Sequence, residues 1–295
     1  MTSRLLIAIS LFVLSAAPAV ADARIYCYQK VIKASATGGG KVQVNGFRVE
    51  VGPAADPDNV GHMTCHASIV SPKGQVVYES NAWGMEIDPI TGQDINGDSQ
   101  PEAVLVSFSG GAHCCWTYHI ISLGKKPGLL REFENGATAS FRDLRGNGQI
   151  EILVRDDRYD GAFGLDHASS VFPLLIVELK ESQFNDVASH FWPIYEKEIQ
   201  EEGSKLNDRH LQEFLHSNPD EVHDDLDYLG TKSSILLIVL DYLYAGRPEE
   251  GHTVLRKLWP KDSQERTWKD MLSGFCSGLR ARLGLETSQP PCGGK

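Results

Sequence analysis

The hydrophobic period of this chain changes once, and that change limits its fold more than any other feature. From residue 24 to about residue 179, short β-branched or aromatic runs are separated by turn dipeptides, which is the pattern of strands. Asn45-Gly46 stands before Phe47-Arg48-Val49-Glu50-Val51, and Pro72-Lys73-Gly74 separates the run 65–70 from the run 76–79. Gly38-Gly39-Gly40 reads as a loop. From about Phe191 onward the apolar residues recur at helical spacing. Asn207-Asp208 is placed to cap a helix reaching Leu215, a helix over 231–244 should stop at Gly246, and Pro248 suits the first turn of the next. A last helix should begin near Asp262 or Ser263 and end before Gly284. The expected fold class is therefore α+β. A β-rich domain over 22–182 is followed by an α-helical domain over 183–287 and a tail over 288–295, and the change of period suggests separate cores.

Residues 1–21 read as a secretory signal peptide. Arg4 precedes an apolar stretch over 5–14, and small residues at Ala19 and Ala21 suit cleavage after Ala21. The stretch is too short to span a bilayer, and residues 22–24 give no stop-transfer pattern. The expected location is periplasmic or secreted, with no membrane span after signal removal. Removing the signal takes away one Arg and no acid, leaving a formal charge of −12 that argues against a nucleic-acid partner. All six cysteines, Cys27, Cys65, Cys114, Cys115, Cys276 and Cys292, lie beyond the signal, where disulfides persist. The expected pairs are Cys27 with Cys65 and Cys276 with Cys292, because each closes a loop within one region.

Two stretches resemble each other at an offset of 49 residues. Asp94-Ile95-Asn96-Gly97-Asp98-Ser99-Gln100-Pro101-Glu102 leads into a strand, and so does Asp143-Leu144-Arg145-Gly146-Asn147-Gly148-Gln149-Ile150-Glu151. Each is followed by a loop and another apolar run, giving repeated units over 92–123 and 141–180. In the first copy, oxygen-bearing side chains alternate with small or neutral residues. A hard cation such as Ca²⁺ needs six or more oxygens at short range, and a tightly turned loop aims alternate side chains inward. Position twelve is Leu105, so the loop is not an EF-hand.

At these residues the chain resembles the calcium loops of FG-GAP and VCBS repeats, the integrin-α-like units also found in exported bacterial proteins. Their pattern is D-x-[DN]-x-D-G-x-x-D before a hydrophobic strand. The resemblance implies structural calcium held by Asp94, Asn96, Asp98, the Gln100 carbonyl and Glu102. Ser99 stands where the family has Gly, and Glu102 where it has Asp. In the second copy Arg145 takes a ligand position and Asn147 replaces an Asp, so a metal-free loop is expected, with the guanidinium neutralising Asp143 and Glu151. A closed propeller needs at least four blades. With two units visible and residues 24–90 adding one irregular sheet, an open sheet, a sandwich or partial propeller-like blades are expected.

Three weaker patterns remain. On a strand, His113, Cys115 and His119 share one face, and a metal there would need further ligands such as His62, His66 or His167. A vicinal disulfide at Cys114 and Cys115 is an alternative to packed thiols or bonds to other cysteines. Asp156, Asp157, Asp160 and Asp166 cluster with His167 in one loop, and paired carboxylates can act as acid and base in glycoside hydrolysis. Solvated surface is the plainer reading of such a loop. The stretch 242–250 looks like the centre of a tetratricopeptide repeat, of which only one copy is evident, or like a generic helical hairpin. The functional expectation is calcium-stabilised binding or scaffolding of a protein or a carbohydrate, with an exported hydrolase using Asp156, Asp157, Asp160 and His167 as the alternative.

Overall fold

A computed structural model describes residues 40–55, 64–111, 115–221, 223–285 and 291–292. Its architecture is α+β: three antiparallel sheets followed by helices. The first sheet contains β1 (Gly40–Val44), β2 (Phe47–Pro53), β3 (Cys65–Val70) and β4 (Val76–Ala82). The second contains β5 (Gly84–Ile87), β6 (Glu102–Phe108), β7 (Trp116–Ser122) and β8 (Gly128–Asn135). The third contains β9 (Ala139–Arg142), β10 (Glu151–Arg155), β11 (Leu174–Lys180) and β12 (Gln183–Asp186). Each sheet is a four-stranded meander in which sequence neighbours pair. Residues 40–82 thus form one further sheet, with a register shift in its β3–β4 ladder between Ile69 and Val70. The expected boundary at 182 falls in the turn between β11 and β12, and strand structure runs on to Asp186.

Side-chain alternation stacks the sheets. On β2, Phe47, Val49 and Val51 are buried while Arg48 is exposed, so one face of the first sheet is apolar. The central strand β6 is buried on both sides. Ala103 and Leu105 pack with the first sheet, whereas Val104 and Val106 pack towards the third. Tyr118 stacks on Phe133 at 4.8 Å, and Phe133 meets Phe184 of β12 edge-on at 5.6 Å, joining the second sheet to the third.

The helices are α1 (Trp192–Lys205), α2 (Asp208–Leu215), α3 (Leu226–Tyr244), α4 (Pro248–Leu258), α5 (Gln264–Ser277) and α6 (Leu279–Arg282). Asn207 caps α2 as its sequence suggests, and Asp225 caps α3, which starts five residues earlier than the spacing predicts. The run Ile235 to Leu240 makes α3 apolar around most of its surface, because it is enclosed by α1, α4 and the third sheet. Tyr195 of α1 donates to the Leu174 carbonyl at 2.9 Å, and Arg155 of β10 pairs with Glu198 of α1. Buried residues of the third sheet and of the helices form one cluster, so the helical part packs into a shared core.

One clasp ties the sheet end to the helical end. Asp156, fully buried just after β10, accepts from the Tyr244 hydroxyl at 2.7 Å and from the Leu279 backbone N–H at about 3.1 Å. The Cys276–Cys292 disulfide forms as expected. Cys65 and Cys115 are also disulfide-bonded, and Cys27, the partner expected for Cys65, lies outside the described residues, as does Cys114. The signal segment lies outside them too. No helix among the described residues is long and apolar enough to cross a membrane.

Candidate functional site

The two Asp-initiated loops occupy the same place in successive sheets, between the first and second strands of the meander. In the first loop, Asp94 Oδ1 accepts from the N–H of Gly97 at 2.8 Å and of Asp98 at 3.1 Å, while Oδ2 accepts from Ser99 at 2.8 Å. Asp98 Oδ1 accepts from the Gln100 N–H at 2.8 Å, and Asn96 Oδ1 from Asp98 at 3.0 Å. These side-chain-to-backbone bonds explain why Asp and Asn recur at alternate positions: they replace the backbone partners that a tight turn lacks. Gly97 takes φ +78°, and Ser99 is held at φ +64°, where glycine is the easier residue.

Glu102 starts β6 with its side chain fully buried. Its Oε2 accepts from the Ile95 N–H at 2.7 Å, but its Oε1 is buried without a partner. Burial, reinforced by the nearby Asp98 and Asp94 carboxylates and opposed by the Ile95 N–H, pushes the Glu102 carboxyl up to about 7. The loop also reaches the third sheet. Asn96 Nδ2 donates to the Glu181 carbonyl and the Glu181 N–H donates to the Asn96 carbonyl, both at 3.3 Å, fixing the turn between β11 and β12.

The second loop repeats this frame. Asp143 accepts from Asn147 at 3.1 Å and Gly148 at 2.8 Å, Asn147 accepts from Gln149 at 3.0 Å, and Glu151 Oε2 accepts from Leu144 at 2.8 Å. Its centre differs. Arg145 Nη1 lies 3.4 Å from Glu151 Oε1 and 3.5 Å from Glu178 Oε2, and its guanidinium rests over the Phe191 ring. The guanidinium pairs with Glu151, while the Asp143 oxygens are taken up by the backbone.

The residues that would hold calcium in the first loop are therefore brought into one short turn. Among the described residues, however, no three His, Cys, Asp or Glu side chains converge as a ready metal cage. Both Asp94 oxygens and Asp98 Oδ1 are turned onto backbone N–H groups, although an ionised carboxylate has lone pairs beyond those bonds. Glu102 Oε1 and its counterpart Glu151 Oε1 are both buried without a hydrogen bond, but only Glu151 has a guanidinium beside it, and a cation fits the chemistry of Glu102.

The acidic loop after β10 does not gather its carboxylates. Asp156 is spent on the clasp. Asp157 accepts from the Gly136 N–H at 2.6 Å and pairs with Arg282. Asp160 meets His167 Nδ1 at 2.8 Å on the surface, and Asp166 accepts from the Ser169 N–H at 2.8 Å, which holds its carboxyl below the usual range. Each of these acids is thus engaged by a hydrogen bond or an ion pair within the protein.

The expected face of His113, Cys115 and His119 also serves other ends. Cys115 is in a disulfide, so it offers no thiolate, and His113, Cys114 and His62 lie outside the described residues. His66 bonds Asn81 at 2.9 Å. His119 Nδ1 lies 2.7 Å from Glu132 Oε2 and 2.9 Å from the Tyr78 hydroxyl, and Nε2 lies 3.0 Å from Ser107 Oγ. The alternation of β6, β7 and β8 places Ser107, His119 and Glu132 side by side, a grouping that no motif in the sequence announces. Its order is that of nucleophile, base and acid, but Ser107 and His119 are only 9% and 5% exposed, and Tyr78 reaches in from β4. The group fastens the first sheet to the second. Burial holds the His119 imidazole below its ordinary pKa, with Glu132 opposing the shift. A scan against protein-family models, a search of curated proteins and a search of solved structures each return no match to this chain.

Proposed function

We propose that this chain is an exported binding or scaffolding protein whose second sheet is braced by calcium in the loop 94–102. The observation that carries the reading is Glu102 Oε1, buried without a hydrogen-bond partner and within electrostatic reach of the Asp94 and Asp98 carboxylates, with no cation among the described residues beside it, where the sister loop supplies Arg145. Asp94, Asn96, Asp98, the Gln100 carbonyl and Glu102 would hold the ion, and its charge would relieve their mutual repulsion. Because Asn96 also clamps the turn at Glu181, the brace would stiffen the joint between the second and third sheets. The disulfide at Cys276 and Cys292 supports a periplasmic or secreted location, since such bonds persist in oxidising compartments.

The test is thermal unfolding of the intact protein in calcium and in chelator. Calcium at a hundred times its dissociation constant should add about 2.7 kcal/mol, enough for a clear rise in melting temperature. Identical melting in both, with no heat of binding by calorimetry, would leave the loop as an acidic turn and end this reading.

A further inference from the structure

A cavity of about 920 Å³ lies where β8, the edge strand β12 and the helical part meet. Cavities of this size, formed between separate parts of a fold, commonly take small molecules. Two arginines from distant parts of the chain line it. Arg131 of β8 sits 5.8 Å above the Phe184 ring, and Arg280 of α6 sits 4.4 Å above the Phe275 ring. Arg280 is 8% exposed, and although one Nη atom pairs with Asp186, its Nε is buried without a partner. The Nε of Arg131 is likewise buried and unpartnered, and the Arg131 side chain makes no hydrogen bond or ion pair with any described residue. A guanidinium keeps its charge and has five N–H donors to satisfy. Desolvating such donors without an acceptor is costly. In a chain of net charge −11, with carboxylates in plenty, Arg131 is nonetheless left without one. Of the two acids lining the cavity, Asp186 is spent on Arg280 and Glu249 is exposed in the first turn of α4.

We propose that this cavity binds a small organic carboxylate with a flat apolar body. The carboxylate takes the planar donor fork of Arg131, and the body lies among Phe184, Phe275 and Trp268. A single free guanidinium matches one negative charge, and fork-on-fork geometry favours a planar carboxylate. Aromatic walls favour a flat partner over a compact inorganic anion. The site shares no residue with the loop 94–102, so its fate is independent of the calcium reading.

The test uses the intact protein, with phenylacetate as probe and phenylacetamide as its uncharged twin, followed by calorimetry and ligand-observed NMR. Phenylacetate should bind saturably and the amide should bind at least about tenfold more weakly. Arg131→Gln should weaken phenylacetate by about ten- to a hundredfold and leave the amide unchanged. Because the Arg131 side chain has no hydrogen-bond or ion-pair partner among the described residues, Arg131→Gln without ligand should melt no lower than the parent, which separates lost binding from lost fold. Equal affinity for acid and amide, unchanged acid binding in Arg131→Gln, or no saturation by about 10 mM phenylacetate would each overturn the proposal.

Discussion

The loops 94–102 and 143–151 share one hydrogen-bond frame and differ in what stands at its centre. In both, an Asp at the first position gathers backbone N–H groups, the sixth residue is left-handed, and a buried Glu at the ninth position holds the second residue's N–H. The turn is therefore shaped by local bonds alone. What the third position adds is charge: Arg145 gives Glu151 a counter-ion from within the chain, whereas Asn96 gives Glu102 none. A buried carboxylate is costly unless it is paired, so the first loop must find its compensation elsewhere.

Removing the internal counter-ion should have the largest effect. Arg145→Ala leaves the buried Glu151 without its counter-ion, while Glu178 keeps Lys180 at 2.6 Å, and should cost about 3 to 4 kcal/mol in urea unfolding. An unchanged midpoint would mean that the second loop does not depend on its centre. Next comes the pH response of the first loop in chelator. The folded carboxyl of Glu102 is pushed up to about 7 from its ordinary value of 4.5, so between those values the folded state binds more protons than the unfolded one. Stability should then fall as pH rises from about 4.5 to about 7, by up to about 3 kcal/mol, and level off above. Glu102→Gln should flatten that slope, and a slope unchanged by the substitution would show that other groups carry it.

Slightly smaller is the calcium response of about 2.7 kcal/mol, which Asp98→Ala should abolish and Asn147→Ala should leave intact. Loss of the response in both variants would mean that the two loops do not differ as described. The smallest effect concerns the sixth position, where Ser99 holds φ +64° and its counterpart Gly148 holds +85°. Ser99→Gly should stabilise by no more than about 1 kcal/mol, because relief of left-handed strain is offset by greater freedom of the unfolded chain. A measured loss would mean that the Ser99 side chain makes a bond worth more than the strain.

Much of the frame was legible because it is written in local chemistry. The turn at Asn45-Gly46, the cap at Asn207, Pro248 at the head of α4 and the all-apolar run in α3 each follow from the residues themselves. The Arg145 to Glu151 pair was legible for the same reason, since both residues belong to one loop. Contacts between elements were not. Asp156 looks like one more acid in an acidic loop until Tyr244 and Leu279, far along the chain, close on it. Ser107, His119 and Glu132 become neighbours only through strand register. Likewise, α3 begins at Leu226 despite the helix-weakening Gly230, because the Asp225 cap and packing outweigh propensity. The cavity around Arg131 is the extreme case, being lined from β8, β12 and the helices at once.

The meanders and the clasp also divide the chain in time. Every ladder joins strands adjacent in sequence, so each sheet closes through pairings local in the chain, across connections no longer than 156–173, which favours rapid ordering. The clasp joins Asp156 to Leu279 across 123 residues and brings a carboxylate into a dry interior. As a chain emerges from its amino end, the sheets are able to form in order while Asp156 remains in water. Its burial becomes affordable only once Tyr244 and the Leu279 N–H have arrived. The same carboxylate that looks like a surface acid in the sequence thus acts as a late checkpoint, admitting the closed state only to a chain that has reached its helical end.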